Sequence, residues 1–191
     1  MKLEQLARTI MILALCILWI DLSPGRAEAA QTVHLTLEID GNVIPGDSTV
    51  ASLDRADTIE CSSFGENGYT PISAASGLPT GRRQHRPITI TKRVDKSSAL
   101  LWKAWANNEL VTKADFRFYR PDSVTGTTEV HFLTVTLENG KIAGMSVGSQ
   151  DVIAGGANAP PAMESVTFTF ETITWTYELD GSNHTDTWAG P

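Results

Sequence analysis

Along most of the chain, apolar side chains recur at every second position. Val33, Leu35, Leu37 and Ile39 alternate with His34, Thr36 and Glu38, the period-two pattern of a strand with one buried face. Ile59 and Cys61 mark a second strand, Ile88 and Ile90 with Val94 a third, and Phe116 and Phe118, spaced by Asp115 and Arg117, a fourth. In Val130–Glu138 the neighbours Phe132 and Leu133 break the alternation, which leaves open a bulge or burial on both faces. Asn139-Gly140 follows at once. That dipeptide favours a type I′ turn and predicts a hairpin pairing Leu133–Glu138 with Lys141–Val147. Near the C-terminus Val166, Phe168 and Phe170 take even positions, and Ile173, Trp175, Tyr177 and Leu179 odd ones. The parity changes at Glu171-Thr172 without Gly or Pro. A bulge or sharp bend there lets one long segment serve both sides of a closed barrel.

One stretch has a different period. Asp95-Lys96-Ser97-Ser98 offers helix-capping side chains, Ala99–Ala106 contains good helix formers, and Asn107-Asn108 is a natural stop. Leu101, Ala104 and Trp105 share one helical face, so a single helix near Ser97–Asn107 is expected, with Trp105 packed in the core. Two connections are long: Phe64–Arg86 and Ser149–Met163, both rich in small and turn-forming residues. Structureless loops of such length are uncommon in compact domains and usually serve a function or are disordered. The tail Asp180–Pro191 is polar and expected to be exposed. The fold class is therefore mainly β, with one short α-helix.

The first residues follow neither pattern. Lys2 and Arg8 precede Thr9–Ile20, twelve residues of which eleven are apolar, and Ala27-Glu28-Ala29 is a small-x-small triplet. The run is too short for a bilayer span, which needs about 20 residues. It has the length and flanks of a secretory signal. Residues 1–29 are expected to be a signal peptide cut before Ala30, leaving 30–191 as one domain that is secreted or periplasmic, with no stable membrane span. The formal net charge of the chain is −7. The charges of residues 1–29 cancel, Lys2, Arg8 and Arg26 against Glu4, Asp21 and Glu28, so the remainder stays acidic and is a poor fit to nucleic acid. Cys61 is the only cysteine after Ala30 and is read as a small buried side chain.

Candidate chemistry is sparse. His34, His85, His131 and His184 have no metal-ligand spacing, and His34 and His131 fall at polar strand positions expected to face solvent. No nucleophile turn or phosphate loop is present in the sequence. No enzyme activity and no cofactor is expected. The charge feature above background is Arg82-Arg83-Gln84-His85-Arg86, at the end of the longest loop of an acidic chain. It reads as a solvated loop end, a contact to an acidic face of a neighbouring subunit, or a polyanion site, the last opposed by the net charge.

The order of these elements resembles a known family. Pro87-Ile88-Thr89-Ile90-Thr91-Lys92, followed by Val94-Asp95-Lys96-Ser97-Ser98 and the short helix, is similar to the strand–helix core of Hcp proteins, the tube subunits of type VI secretion. Gly46-Asp47 after the opening strand resembles the family's start. Glu164-Ser165-Val166-Thr167-Phe168, then Ile173-Thr174-Trp175-Thr176-Tyr177, resembles its ending. The resemblance implies a small closed or nearly closed antiparallel β-barrel, hexameric rings that stack into a hollow tube, and no catalytic residues. It implies partners too: other copies of the chain, spike and sheath components, and small effectors in the lumen. Arg82, Arg83 and Arg86 become candidates for the contact between stacked rings, with Phe64–Arg86 projecting from one ring face. Tube subunits of that family carry no export signal, so the leader opens a second reading: an exported Hcp-like domain reused for periplasmic or extracellular binding or assembly.

Overall fold

A computed structural model describes residues 31–122, 128–149 and 161–189. The proposed leader and most of Ser149–Met163 lie outside the described residues. The strands are β1 (Thr32–Ile39), β2 (Asn42–Ile44), β3 (Ile59–Gly65), β4 (Gly68–Tyr69), β5 (Gln84–His85), β6 (Ile88–Arg93), β7 (Val111–Pro121), β8 (Glu129–Gly148), β9 (Met163–Thr169), β10 (Thr172–Tyr177) and β11 (Ser182–Thr187), with one α-helix, α1 (Ser98–Asn107).

The described pairings are antiparallel and run β7–β1–β3–β6–β9, and β8 closes the ring by pairing with both β7 and β9. Closure needs a strand that turns a corner, and β8 does so at Asn139-Gly140. Its first half pairs with β7 on one edge and β10 on the other, its second half with β9. The segment Met163–Tyr177 runs back along β8 from Gly148 to Leu133 and breaks at Phe170-Glu171, directly opposite the corner. The expected bend at Glu171-Thr172 is thus present within one residue. The expected hairpin is not. Glu138 pairs with Lys113 and Thr172, while Lys141 pairs with Thr169, so Asn139-Gly140 is a corner inside one strand rather than a turn between two. Asn139 takes the left-handed conformation (φ 54°). Gly140 serves another need: a Cβ there would lie 2.0 Å from the Thr169 carbonyl oxygen. The Phe132/Leu133 slip is a bulge, since Phe118 faces Leu133 and Tyr119 faces His131, leaving Phe132 as the extra residue.

The inward faces carry the alternating residues. Leu35, Leu37, Ile59, Ile88, Ile90, Phe116, Leu137, Val166, Phe168 and Ile173 are all fully buried. Helix α1 adds Leu101 and Ala104 and ends at Asn108 in the left-handed conformation. Trp105 does not join the core. It is 41% exposed and meets half-buried Trp102 edge to face at 5.5 Å. The inward stripe is narrower than the sequence pattern implies: Ser98, Leu101 and Ala104 are its buried residues.

His34 also departs from expectation. It sits on the outward side of β1, yet the segment between β2 and β3 folds across it, so it is buried and bonds Thr58 Oγ1 at 2.9 Å. Gly46 permits that close passage: a Cβ there would stand 2.2 Å from the Thr58 carbonyl oxygen. Val94 is exposed and lies past the end of β6. Within the polar tail, Ser182–Thr187 is a strand, β11, paired along β10 and mostly exposed.

Candidate functional site

The longest connection is an ordered arm. After Gly65 the chain leaves the barrel, and β4 and β5 pair as Gly68 with His85 and Tyr69 with Gln84. Ile72 and Pro79 form a further bridge, and Ser73 N–H donates to Leu78 O at 2.9 Å across the tip. Near the tip, Ile72 is 65% and Leu78 66% exposed, so the arm presents apolar side chains that its own chain does not cover. Such side chains are costly to leave in water and mark a contact surface where they cluster.

Contacts divide the arginines at the arm's root. Within β5, Gln84 and His85 point to opposite faces. His85 faces β11, and Arg83, just before the strand, reaches the same Asp186: the Arg83 guanidinium grips both carboxylate oxygens, and His85 Nε2 lies 3.0 Å from Oδ2. The Arg83 fork holds the Asp186 carboxyl well below the usual carboxylate range. Arg86 lies over the Tyr69 ring at 5.1 Å. Arg82 has no ion pair among the described residues and is exposed. The three arginines thus share a root but have different surroundings.

His85 is further enclosed by rings: Phe170 at 5.5 Å, Trp175 at 6.2 Å and Trp188 at 6.4 Å between centroids. Phe170 and Trp188 pack edge to face at 5.0 Å, and His184 stacks on Trp175. Trp175 Nε1 donates to the Glu66 carboxylate at the start of the arm, 3.0 Å from each oxygen. Sequence reasoning missed Asp186 and Trp188, which lie in a tail read only as polar. The one local signal is the turn dipeptide Asp180-Gly181, which can return the chain along β10; Ser182–Thr187 is polar throughout and carries no strand period.

Between the arm-bearing sheet and α1 lies a buried ionic knot. Lys92 Nζ bonds the Arg93 carbonyl and Asp95 Oδ1, both at 2.8 Å, and pairs with Glu164 Oε1. Ser98 Oγ donates to the same Glu164 oxygen at 2.6 Å. Asp95 also accepts from Ser97 N–H at 2.8 Å, while its own N–H donates to Ser98 Oγ at 3.0 Å, and these bonds fix the turn that leads into α1. Burial works to raise the Asp95 carboxyl, but bonds from Lys92 and Ser97 outweigh it and hold it below its ordinary value. Asp95 also borders a polar cleft of about 320 Å³ shared with Asp47, Glu60, Ser62 and Arg93.

The reactive groups are tied into structure. Cys61 is buried, and burial pushes its thiol up to about 12. His131 stacks on Tyr119 at 5.0 Å, and Arg55 lies over the same Tyr119 ring at 4.6 Å. Among the described residues no three His, Cys, Asp or Glu side chains converge to hold a metal ion, and no helix is long and apolar enough to cross a membrane.

Residues 36–177 match the family described as "Type VI secretion system effector, Hcp". The chain belongs to the Hcp family. It is 36% identical over 135 residues to the "Major exported protein" of Pseudomonas aeruginosa, an alignment covering 71% of this chain and 77% of that protein. Among solved structures, the Hcp1 protein of E. coli EAEC 042 superposes with a TM-score of 0.71 at 31% identity, covering 83% of this chain and 99% of that one. Hcp3 of Pseudomonas aeruginosa, 23% identical, shares the fold with a TM-score of 0.63, covering 83% of this chain and 99% of its own. The chain is thus an Hcp-like tube protein of type VI secretion. Its Hcp core as matched ends at Tyr177, the last residue of β10, and includes the arm and the Lys92 knot. Asp186 and Trp188 lie past it.

Proposed function

We propose that six copies of this Hcp protein close into a ring, that rings stack into a hollow tube, and that the arm, residues 66–86, reaches from one ring to the next. The carrying observation is the arm itself: an ordered projection with exposed Ile72 and Leu78, too long for a simple connection. A ring repeats one heterologous interface until rotation closes it, and stacking then brings two different faces together. Opposite charge on those faces sets register and is screened by salt. Exposed Arg82 and the neighbouring Arg86 supply such charge in an acidic chain. Spike and sheath components and small effectors in the lumen are its further partners.

The role is structural rather than enzymatic. Support comes from the buried, hard-to-ionise thiol and from histidines engaged by Thr58, Asp186, Tyr119 and Trp175. Electron microscopy with light scattering of the purified protein tests assembly. Stacks at low salt that fall to single rings at high salt, or in Arg82→Ser/Arg86→Ser, are expected. A monomer at every concentration would remove the ring reading.

The apolar run Thr9–Ile20 favours a second reading, in which residues 1–29 direct export and the domain 30–191 works as a stand-alone periplasmic or extracellular assembly or binding protein. A mass spectrum of the endogenous protein decides: a chain beginning at Ala30 supports export by the leader, and a retained N-terminus supports loading from the cytoplasm.

A further inference from the structure

A two-stranded arm with two residue pairs and one bridge has little intrinsic stability, since even an isolated hairpin is marginal in water. Its direction must therefore be fixed where it leaves the barrel. At that place the chain supplies more than a hinge. Arg83 engages Asp186 through a planar two-bond fork, which fixes orientation as well as distance. His85, only 10% exposed, bonds the same carboxylate and inserts among Phe170, Trp175 and Trp188. Glu66 holds the outgoing strand to the Trp175 indole. Both strands of the arm are thus tied to one surface, and half of that surface comes from β11 and the residue after it.

We propose that β11 with Trp188 is a socket for the root of the arm, that Asp186 is its central positioning residue, and that the socket sets the angle at which the arm tip meets a second copy of the chain in the next ring. The second part rests on the reading of the arm as the contact between rings. The residues divide accordingly. Arg83 and His85 face the socket and are spent on posture. Arg82, exposed and without an ion pair among the described residues, is left for the neighbour, and Arg86 braces Tyr69 within the arm. An arm freed from the socket keeps every tip residue but samples many directions, and so loses the preorganisation that a repeated stacking contact needs.

Two readouts on the same full-length protein separate the parts. Hydrogen exchange of peptides covering residues 66–86 reports on posture without requiring assembly, and electron microscopy reports on stacking. In Asp186→Asn and Trp188→Ala, arm amides are expected to exchange at least about tenfold faster while β1 and β6 amides keep their protection, and stacks should give way to single rings. The swap Arg83→Asp with Asp186→Arg should recover much of both, which a merely space-filling role for Asp186 would not allow. Unchanged arm exchange would overturn the socket, whatever happens to stacking. Faster exchange in β1 and β6 as well would overturn it too, by making β11 a general stabiliser of the barrel. A loosened arm with intact stacks would leave the socket standing and overturn the arm as the contact between rings.

Discussion

Lys92 and Glu164 are direct cross-strand partners, one on β6 and one on β9, and both side chains are essentially without solvent contact. Each continues the inward parity of its strand, Lys92 after Ile88 and Ile90, Glu164 before Val166 and Phe168. An ion pair therefore occupies a core position where the barrel wall meets the start of α1. The barrel gains specificity from it only if every member is satisfied, and Glu164 Oε2 has no partner among the described residues. Breaking a buried pair by removing one partner leaves an uncompensated charge and costs roughly 3–5 kcal/mol, whereas replacing both is far cheaper. Glu164→Leu should destabilise the domain by about 3 kcal/mol, since Asp95 still holds Lys92. Lys92→Met with Glu164→Leu should recover most of that loss. Urea unfolding midpoints check both, and a double variant as unstable as the single one would contradict the account.

Cys61 lies on the inward face of β3, and burial, aided by Glu60 and Asp95 against Lys92, keeps its thiol protonated. The thiolate is the reactive form. The peptide containing Cys61 should react with iodoacetamide at neutral pH at least about a hundredfold more slowly in the folded protein than in urea, as followed by mass spectrometry. Rapid labelling of the folded protein would mean that β3 opens readily from the wall.

These elements show what was legible beforehand. The strands of the barrel and the helix follow from local periodicity, but the N-cap residue Ser97 makes no side-chain cap bond, and Asp95 and Ser98 are spent instead on the preceding turn and the Lys92 knot. The parity slip at Phe132 left open a bulge or burial on both faces, and the structure has the bulge; the slip at Glu171 left open a bulge or a sharp bend, and the strand breaks there. Asn139-Gly140 misled because its left-handed preference serves a corner within one strand as well as a turn between two. Only the partner Phe170-Glu171, far along the chain, tells them apart. The arm's root was flagged by its basic run, but Asp186 lies 103 residues from Arg83. No local pattern carries that pairing. His34 escaped for a related reason: its cover is a loop from elsewhere, not its own sheet.

That cover gives the fold a pH dependence. Burial and then the Arg55 charge depress the pKa of His34 below 6.5, with Glu60 and Glu129 opposing. Burial, with Arg117 adding to it and Glu178 and a Leu133 backbone bond opposing, does the same to His131. The unfolded chain then binds more protons than the folded one below about pH 6.5, so this stability is full above that pH and declines as pH falls toward the folded pKa values. Urea midpoints should drop between pH 7.5 and pH 5.5, before Asp95 is protonated. His34→Asn, whose amide N–H can still donate to Thr58 Oγ1 while Thr58 donates to the Arg55 carbonyl, should be less stable at pH 7.5 yet show a shallower drop. An identical drop in the variant would place the acid sensitivity elsewhere.

The corner of β8 offers the sharpest test of the topology, because a hairpin turn and a closed-barrel corner make different demands on the same two residues. In a turn, Gly140 would be needed for its left-handed backbone, so alanine would be tolerated moderately and valine least. In the observed corner, Asn139 is the left-handed residue, and Gly140 has no side chain because Thr169 O occupies the space. The first Cβ atom is then the damaging one. Gly140→Ala should cost about 2–3 kcal/mol, in the range of overpacked sites, with Gly140→Val little worse in proportion. Asn139→Ala should cost about 1 kcal/mol, because asparagine tolerates the left-handed region better than alanine does, and Asn139→Gly should be close to neutral. Urea unfolding of the four variants reads out the order. A mild Gly140→Ala beside a severe Gly140→Val would favour a turn, and would undo the continuous strand through which β8 closes the barrel.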